Sequence, residues 1–225
     1  MIQNLSIWIE ILFVLVFLIT LALFYFSNGR PKKVITGIIF WSIIQMALSL
    51  IGFYQIQSSF PRFVLVLFPA FLCVGIGLLP KQISWMLNKR NTRLSTFLHT
   101  VRFPIEIILF QLYLNEMIPQ LMTFEGRNFD IIIGITAPLV GYLHIKKRIN
   151  HSTLIFWNVL GLFLVSFILL NGILSSELPF QQFAFDQPNK AVTFFPFILL
   201  PAVVVPIVLW THITDILKLV KQKKQ

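Results

Sequence analysis

Apolar residues gather into seven long runs divided by short polar or basic connections, at about Ser6–Phe26, Val34–Ile56, Phe63–Leu79, Phe97–Ile118, Phe129–Ile145, Thr153–Ile173 and Val192–Thr211. A helix needs about 20 residues to cross hydrocarbon. The pattern therefore predicts an all-α polytopic membrane protein, a single domain over residues 1–225 built as a bundle of seven transmembrane helices. The third and fifth runs are short and broken by Pro69, Gly75, Gly77, Gly134, Pro138 and Gly141. Such breaks are tolerated where neighbouring helices cover the freed backbone groups. The first run has no basic start and no small-residue cleavage site, so it reads as a retained helix.

Polar positions inside the runs are few. In the fourth, His99, Arg102, Glu106, Leu109, Tyr113, Glu116 and Gln120 recur every three or four residues. On a helix they share an arc of about 100°. Charges facing hydrocarbon cost at least about 2.5 kcal/mol each, so this stripe is expected to face the bundle interior as a pathway or binding site. Arg102 and Glu106, four apart, are expected to meet as an ion pair within the helix. Pro104 between them frees the carbonyl of Thr100 and predicts a kink. Ser42, Gln45 and Ser49 in the second run have the spacing of groups that bond a neighbouring helix, and Gln45 joins the candidate pathway. Pro196, Pro201 and Pro206 in the seventh run should each cancel a helical hydrogen bond.

Charge adds orientation. Arg30, Lys32 and Lys33 follow the first run, Lys81, Lys89, Arg90 and Arg93 the third, Lys146, Lys147 and Arg148 the fifth, and Lys218, Lys221, Lys223 and Lys224 the seventh. The intervening connections hold Arg62, Arg127 and Lys190. Lys and Arg are retained on the cytoplasmic side, so the N-terminus is expected outside and the C-terminus in the cytoplasm of a cell membrane, by this pattern a bacterial inner membrane. Pro80–Arg93 mixes bases with Ile83, Trp85, Met86 and Leu87 and suits an interfacial stretch.

Composition then excludes several classes. With 57% hydrophobic and 12% charged residues, the chain lies far from the soluble range of about 25% charged. The net charge of +10 is a topology signal, so no nucleic-acid partner is expected, and the bilayer is the first partner. Cys73 is the single cysteine, which excludes an internal disulfide. No GxSxG, P-loop or GxGxxG occurs. The seventh run has no lysine for a retinal Schiff base.

His99, His144, His151 and His212 all fall near one membrane face, with Asp215 three residues after His212. They form a candidate inner-face proton cluster. No metal-ligand spacing occurs, and neither metal nor cofactor is expected. Between the fourth and fifth runs, Glu125, Arg127 and Asp130 around Gly126 read as a turn held by an ion pair, while Glu10 could reach Arg62 or Arg127. The last long connection interleaves Phe180, Phe183 and Phe185 with Gln181, Gln182, Asp186 and Gln187, as an anchor or lid would. Arg102-Phe103-Pro104-Ile105-Glu106 resembles the Pro-x-Glu-Glu of membrane lycopene cyclases, with Ile107 in place of the second acid. The leading expectation is transport of a small solute, ion or proton along the stripe. A membrane-embedded enzyme acting on a lipid or isoprenoid, and a non-catalytic scaffold or assembly factor, are the alternatives.

Overall fold

A computed structural model describes Ile2 and residues 5–56 and 61–223; Lys224 of the basic tail lies outside the described residues. It is all-helical. Helix α1 is Ile7–Ser27, α2 Lys32–Leu50, α3 Val64–Gly77, α4 Pro80–Lys89, α5 Thr92–Leu98, α6 Arg102–Leu114, α7 Ile131–Ile145, α8 His151–Leu174 and α9 Val205–Lys223. No strand occurs among the described residues.

Among the described residues, five helical stretches are long and apolar enough to cross a membrane: α1, α2, α5 to α6 taken together, α8, and Leu200–Lys223. The pair α3 and α4 would make a sixth as one broken span, bent by 77° where Pro80 starts α4, and α7 is a shorter apolar helix. The surface follows the polarity of a lipid environment. Phe40 is 66% exposed and Phe156 is 69% exposed. On α2 the buried side chains are Ser42, Gln45 and Ser49, so its polar edge faces inward and its apolar flank outward.

Hydrogen bonds among helix ends and connections fall into two groups. At the basic end, the Asn91 amide donates to the Ser27 carbonyl (2.7 Å) and Lys218 Nζ to the Leu87 carbonyl (2.9 Å). At the opposite end, Ser49 Oγ donates to the Thr193 carbonyl (2.9 Å), and Gln187 Nε2 to the carbonyls of Tyr113 (3.0 Å) and Ile118 (2.6 Å). The long Phe-rich connection is thus bonded across this end. The core centres on α9, whose whole circumference from Pro206 to His212 is buried.

Several boundaries differ from the sequence expectation. The fourth helix begins earlier, at Thr92, where Asn91 Oδ1 caps it by accepting from the Arg93 and Leu94 amides. It tightens at His99–Val101, one turn before Pro104, and ends at Leu114. Glu116 lies beyond the helix in a left-handed turn with φ 58°, and Gln120 starts a separate short turn. Both are exposed, so the stripe does not reach them. The last helix starts at Leu200, not Val192, and runs to Lys223, because Pro196 and the bonded connection hold the chain off helical geometry before it. Its first turn, Leu200–Val204, is wider than an α-helix. Pro206 gives no N–H to the Ala202 carbonyl, which accepts from Trp41 Nε1 of α2 instead (3.2 Å). Gly134 lets α7 lie against the start of α6, where a Cβ would sit 2.5 Å from the Phe103 nitrogen.

Candidate functional site

A column of buried polar groups runs along α5 and α6 beside α9. It starts at the basic end. Arg90 Nε donates to Asp215 Oδ1 (2.6 Å), Nη1 to Asn28 Oδ1 (2.7 Å) and Nη2 to the Thr211 carbonyl (3.0 Å). Ser95 Oγ donates to both oxygens of Asp215 (2.9 and 2.7 Å). Asp215 therefore pairs with Arg90 and Ser95, not with His212.

One turn further in, His99 and His212 stack with ring centroids 3.8 Å apart and planes at 13°, and Trp157 meets His99 edge-on at 5.5 Å. Both histidines are fully buried. His212 Nε2 lies 2.9 Å from Arg102 Nη1, and Nδ1 lies 2.9 Å from Asn158 Oδ1. A guanidinium can only donate, so Nε2 accepts, and the proton on Nδ1 is donated to Asn158. Neither ring nitrogen of His99 has a hydrogen-bond partner. Gly161 is the facing wall, since a Cβ there would fall 2.4 Å from His212 Cε1. The other two histidines lie apart: His144 Nε2 is 3.2 Å from Thr92 Oγ1, and His151 is exposed. Among the described residues, no three His, Cys, Asp or Glu side chains converge as metal ligands would.

The next turn carries Arg102. Its fork closes on Asp130: Nε donates to Oδ2 (2.6 Å), Nη2 to Oδ1, and Nη2 also to the Gly161 carbonyl (3.2 Å). Bidentate geometry of this kind offsets much of the cost of burying the two charges. The expected Arg102–Glu106 ion pair does not form. Glu106 instead receives both oxygens' hydrogen bonds from Asn128 Nδ2 (2.6 and 2.8 Å), and Asn128 Oδ1 accepts from the Asp130 amide (3.1 Å). The connection read as a self-contained turn thus sends Asn128 and Asp130 inward. Among the described residues it holds no Glu125–Arg127 ion pair, and Glu10 pairs with neither Arg62 nor Arg127.

Beyond Glu106 lies a cavity of about 80 Å³ between α3, α6, α8 and the start of the last helix. Arg102, Glu106, Asn128, Asp130 and Asn189 line one side, and the rest of the wall is apolar apart from backbone. Asn189 Nδ2 donates to the Gly172 carbonyl (3.1 Å), while its Oδ1 is buried without a partner. Leu67 of α3, Leu169 and Ile173 of α8, and Leu200 and Val205 are half-buried lining residues, so the cavity is only partly enclosed.

Of the residues singled out in the sequence, Arg102, Glu106, His99 and His212 are brought together, and Asp215 sits one turn away. Gln45 Oε1 accepts from the Tyr54 hydroxyl (2.5 Å) outside the column. Tyr113 is half-buried and does not line the cavity. Arg90, Ser95, Asn128, Asp130, Asn158 and Asn189 belong to the site and escaped the sequence reading. For Asn158 a signal existed, a carboxamide amid the apolar sixth run, which also holds Asn171.

Residues 60–220 match the model of a family described as a domain of unknown function, DUF8737. That range includes every residue lining the cavity and all of the column except Asn28. No curated protein and no solved structure matches the chain.

Proposed function

The chain belongs to the DUF8737 family, and since that membership brings no activity with it, we propose a function from the buried groups themselves: binding of a lipid or isoprenoid taken sideways from the bilayer. In this reading the chain crosses the membrane seven times, with its basic end in the cytoplasm. The carrying observation is the cavity's construction, largely apolar, with a few buried polar groups and only partly enclosed. The apolar wall suits a short length of an acyl or prenyl chain, since the cavity of about 80 Å³ holds no more than that. The head fits the groups left for it. All the donor nitrogens of Arg102 are engaged with Asp130, His212 and Gly161. What faces the cavity with acceptor capacity is the Glu106 carboxylate and Asn189. The head is therefore a hydrogen-bond donor, a hydroxyl above all.

Passage of an ion or proton along the column is less well supported. A guanidinium fixed between His212 and Asp130 places a permanent charge in the middle of the path and has no free acceptor to take a proton. The stripe also leaves the helix before Glu116.

Native mass spectrometry of the protein purified in mild detergent tests the proposal. Wild type should retain an amphiphile with a hydroxyl head. Leu169→Trp, which adds bulk to a half-buried lining position, should abolish retention, and Glu106→Ala should weaken it about fivefold, as loss of a buried hydrogen bond does. Equal retention by all three proteins would refute the reading.

A further inference from the structure

The basic end has a charge problem that the column does not solve. Of the 8 acidic residues, Asp215 alone lies there, and it is buried against Arg90 and Ser95. Between the starts of α5 and α8 and the end of α7 is a cleft of about 400 Å³, lined by Arg93, His144, Lys147, Ile149, Asn150 and His151. None of the six is acidic. Among the described residues neither Arg93 nor Lys147 pairs with a carboxylate. Arg93, Lys147 and His151 are exposed, while His144 is half-buried and fixed by Thr92. The positive end of the 24-residue α8 dipole adds to the same field.

Cations grouped in a concave site without counter-charge recognise an anion, and guanidinium, ammonium and imidazole together suit a tetrahedral oxyanion. We propose that this cleft binds a phosphate group, from an anionic lipid head or from a free phosphate compound. Arg93 would grip two oxygens through its planar fork, Lys147 would add a point charge, and the imidazoles and Asn150 would complete the shell. Ile149 gives the cleft an apolar edge, which favours a head still attached to its lipid. The site is separate from the amphiphile cavity, so either assignment can fail without the other.

Two arms test it. Full-length protein is released for native mass spectrometry from phosphatidylcholine nanodiscs with and without phosphatidylglycerol. Wild type should keep phosphatidylglycerol preferentially, and Arg93→Gln with Lys147→Gln should reduce that retention on the order of tenfold, as loss of charge-assisted hydrogen bonds to a bound phosphate does. Lys33→Gln with Lys81→Gln, which removes the same charge elsewhere on the basic end, should leave it unchanged. In the second arm, inorganic phosphate is compared with chloride at equal ionic strength in detergent melting. A phosphate-specific rise in wild type that the cleft variant loses identifies free phosphate as sufficient. Lipid retention without that rise identifies the headgroup. An equal fall in the control variant, or no preference in either arm, overturns the proposal.

Discussion

Arg102 is the residue on which the buried chemistry turns, and its partner decides what substitutions cost. Asp130 gives both oxygens to the fork, so Asp130→Asn leaves a guanidinium buried without its counter-charge. Breaking such a pair costs about 3 to 5 kcal/mol. Asp130→Asn is expected to lower the unfolding midpoint in detergent far more than Glu106→Gln, whose new amide oxygen can still accept from Asn128. Arg102→Met combined with Asp130→Leu should be milder than Asp130→Asn alone. A pair within the helix predicts the reverse order, with Glu106→Gln the more damaging. Arg102 and Glu106 were legible as inward-facing because helical spacing puts them with His99 on one arc. Asp130 was not, because connections carry no periodicity, and Glu125, Arg127 and Asp130 satisfy one another on paper.

At the level of elements, helix existence was legible and helix ends were not. Apolar length announced the runs, but the end at Leu114 depends on Gln187 and Lys190 bonding the carbonyls of Tyr113, Met117 and Ile118, contacts made by residues about seventy positions away. The late start of the last helix has the same origin. Helix contacts also depend on what is missing from a side chain. Gly134→Ala should destabilise by about 2 kcal/mol, since its Cβ meets the rigid backbone of Phe103. Gly75→Ala, on the short helix α3 with open space around it, should be neutral or slightly stabilising. Thermal melting of the two variants in one detergent checks the contrast, and equal effects would mean that α7 does not lie against the start of α6.

For the whole molecule, the alternating basic connections predict one orientation. Reporter fusions at Lys33, Lys81 and Lys147 should all report the cytoplasmic side, and those at Arg127 and Lys190 the outside. One reversed signal would change the span count or the orientation. The proposed entry of a lipid from the bilayer into the cavity sets the terms in which binding must be measured. A lipid chain entering it leaves hydrocarbon for hydrocarbon, so no water is shed and the usual gain of about 25 cal/mol per Å² of buried apolar surface does not apply. For the proposed lipid ligand, the apolar wall would select by length and shape, whereas preference among lipids would rest on Glu106 and Asn189. Under that proposal, occupancy would follow the mole fraction of the lipid in the membrane, and its aqueous concentration would not be a meaningful variable.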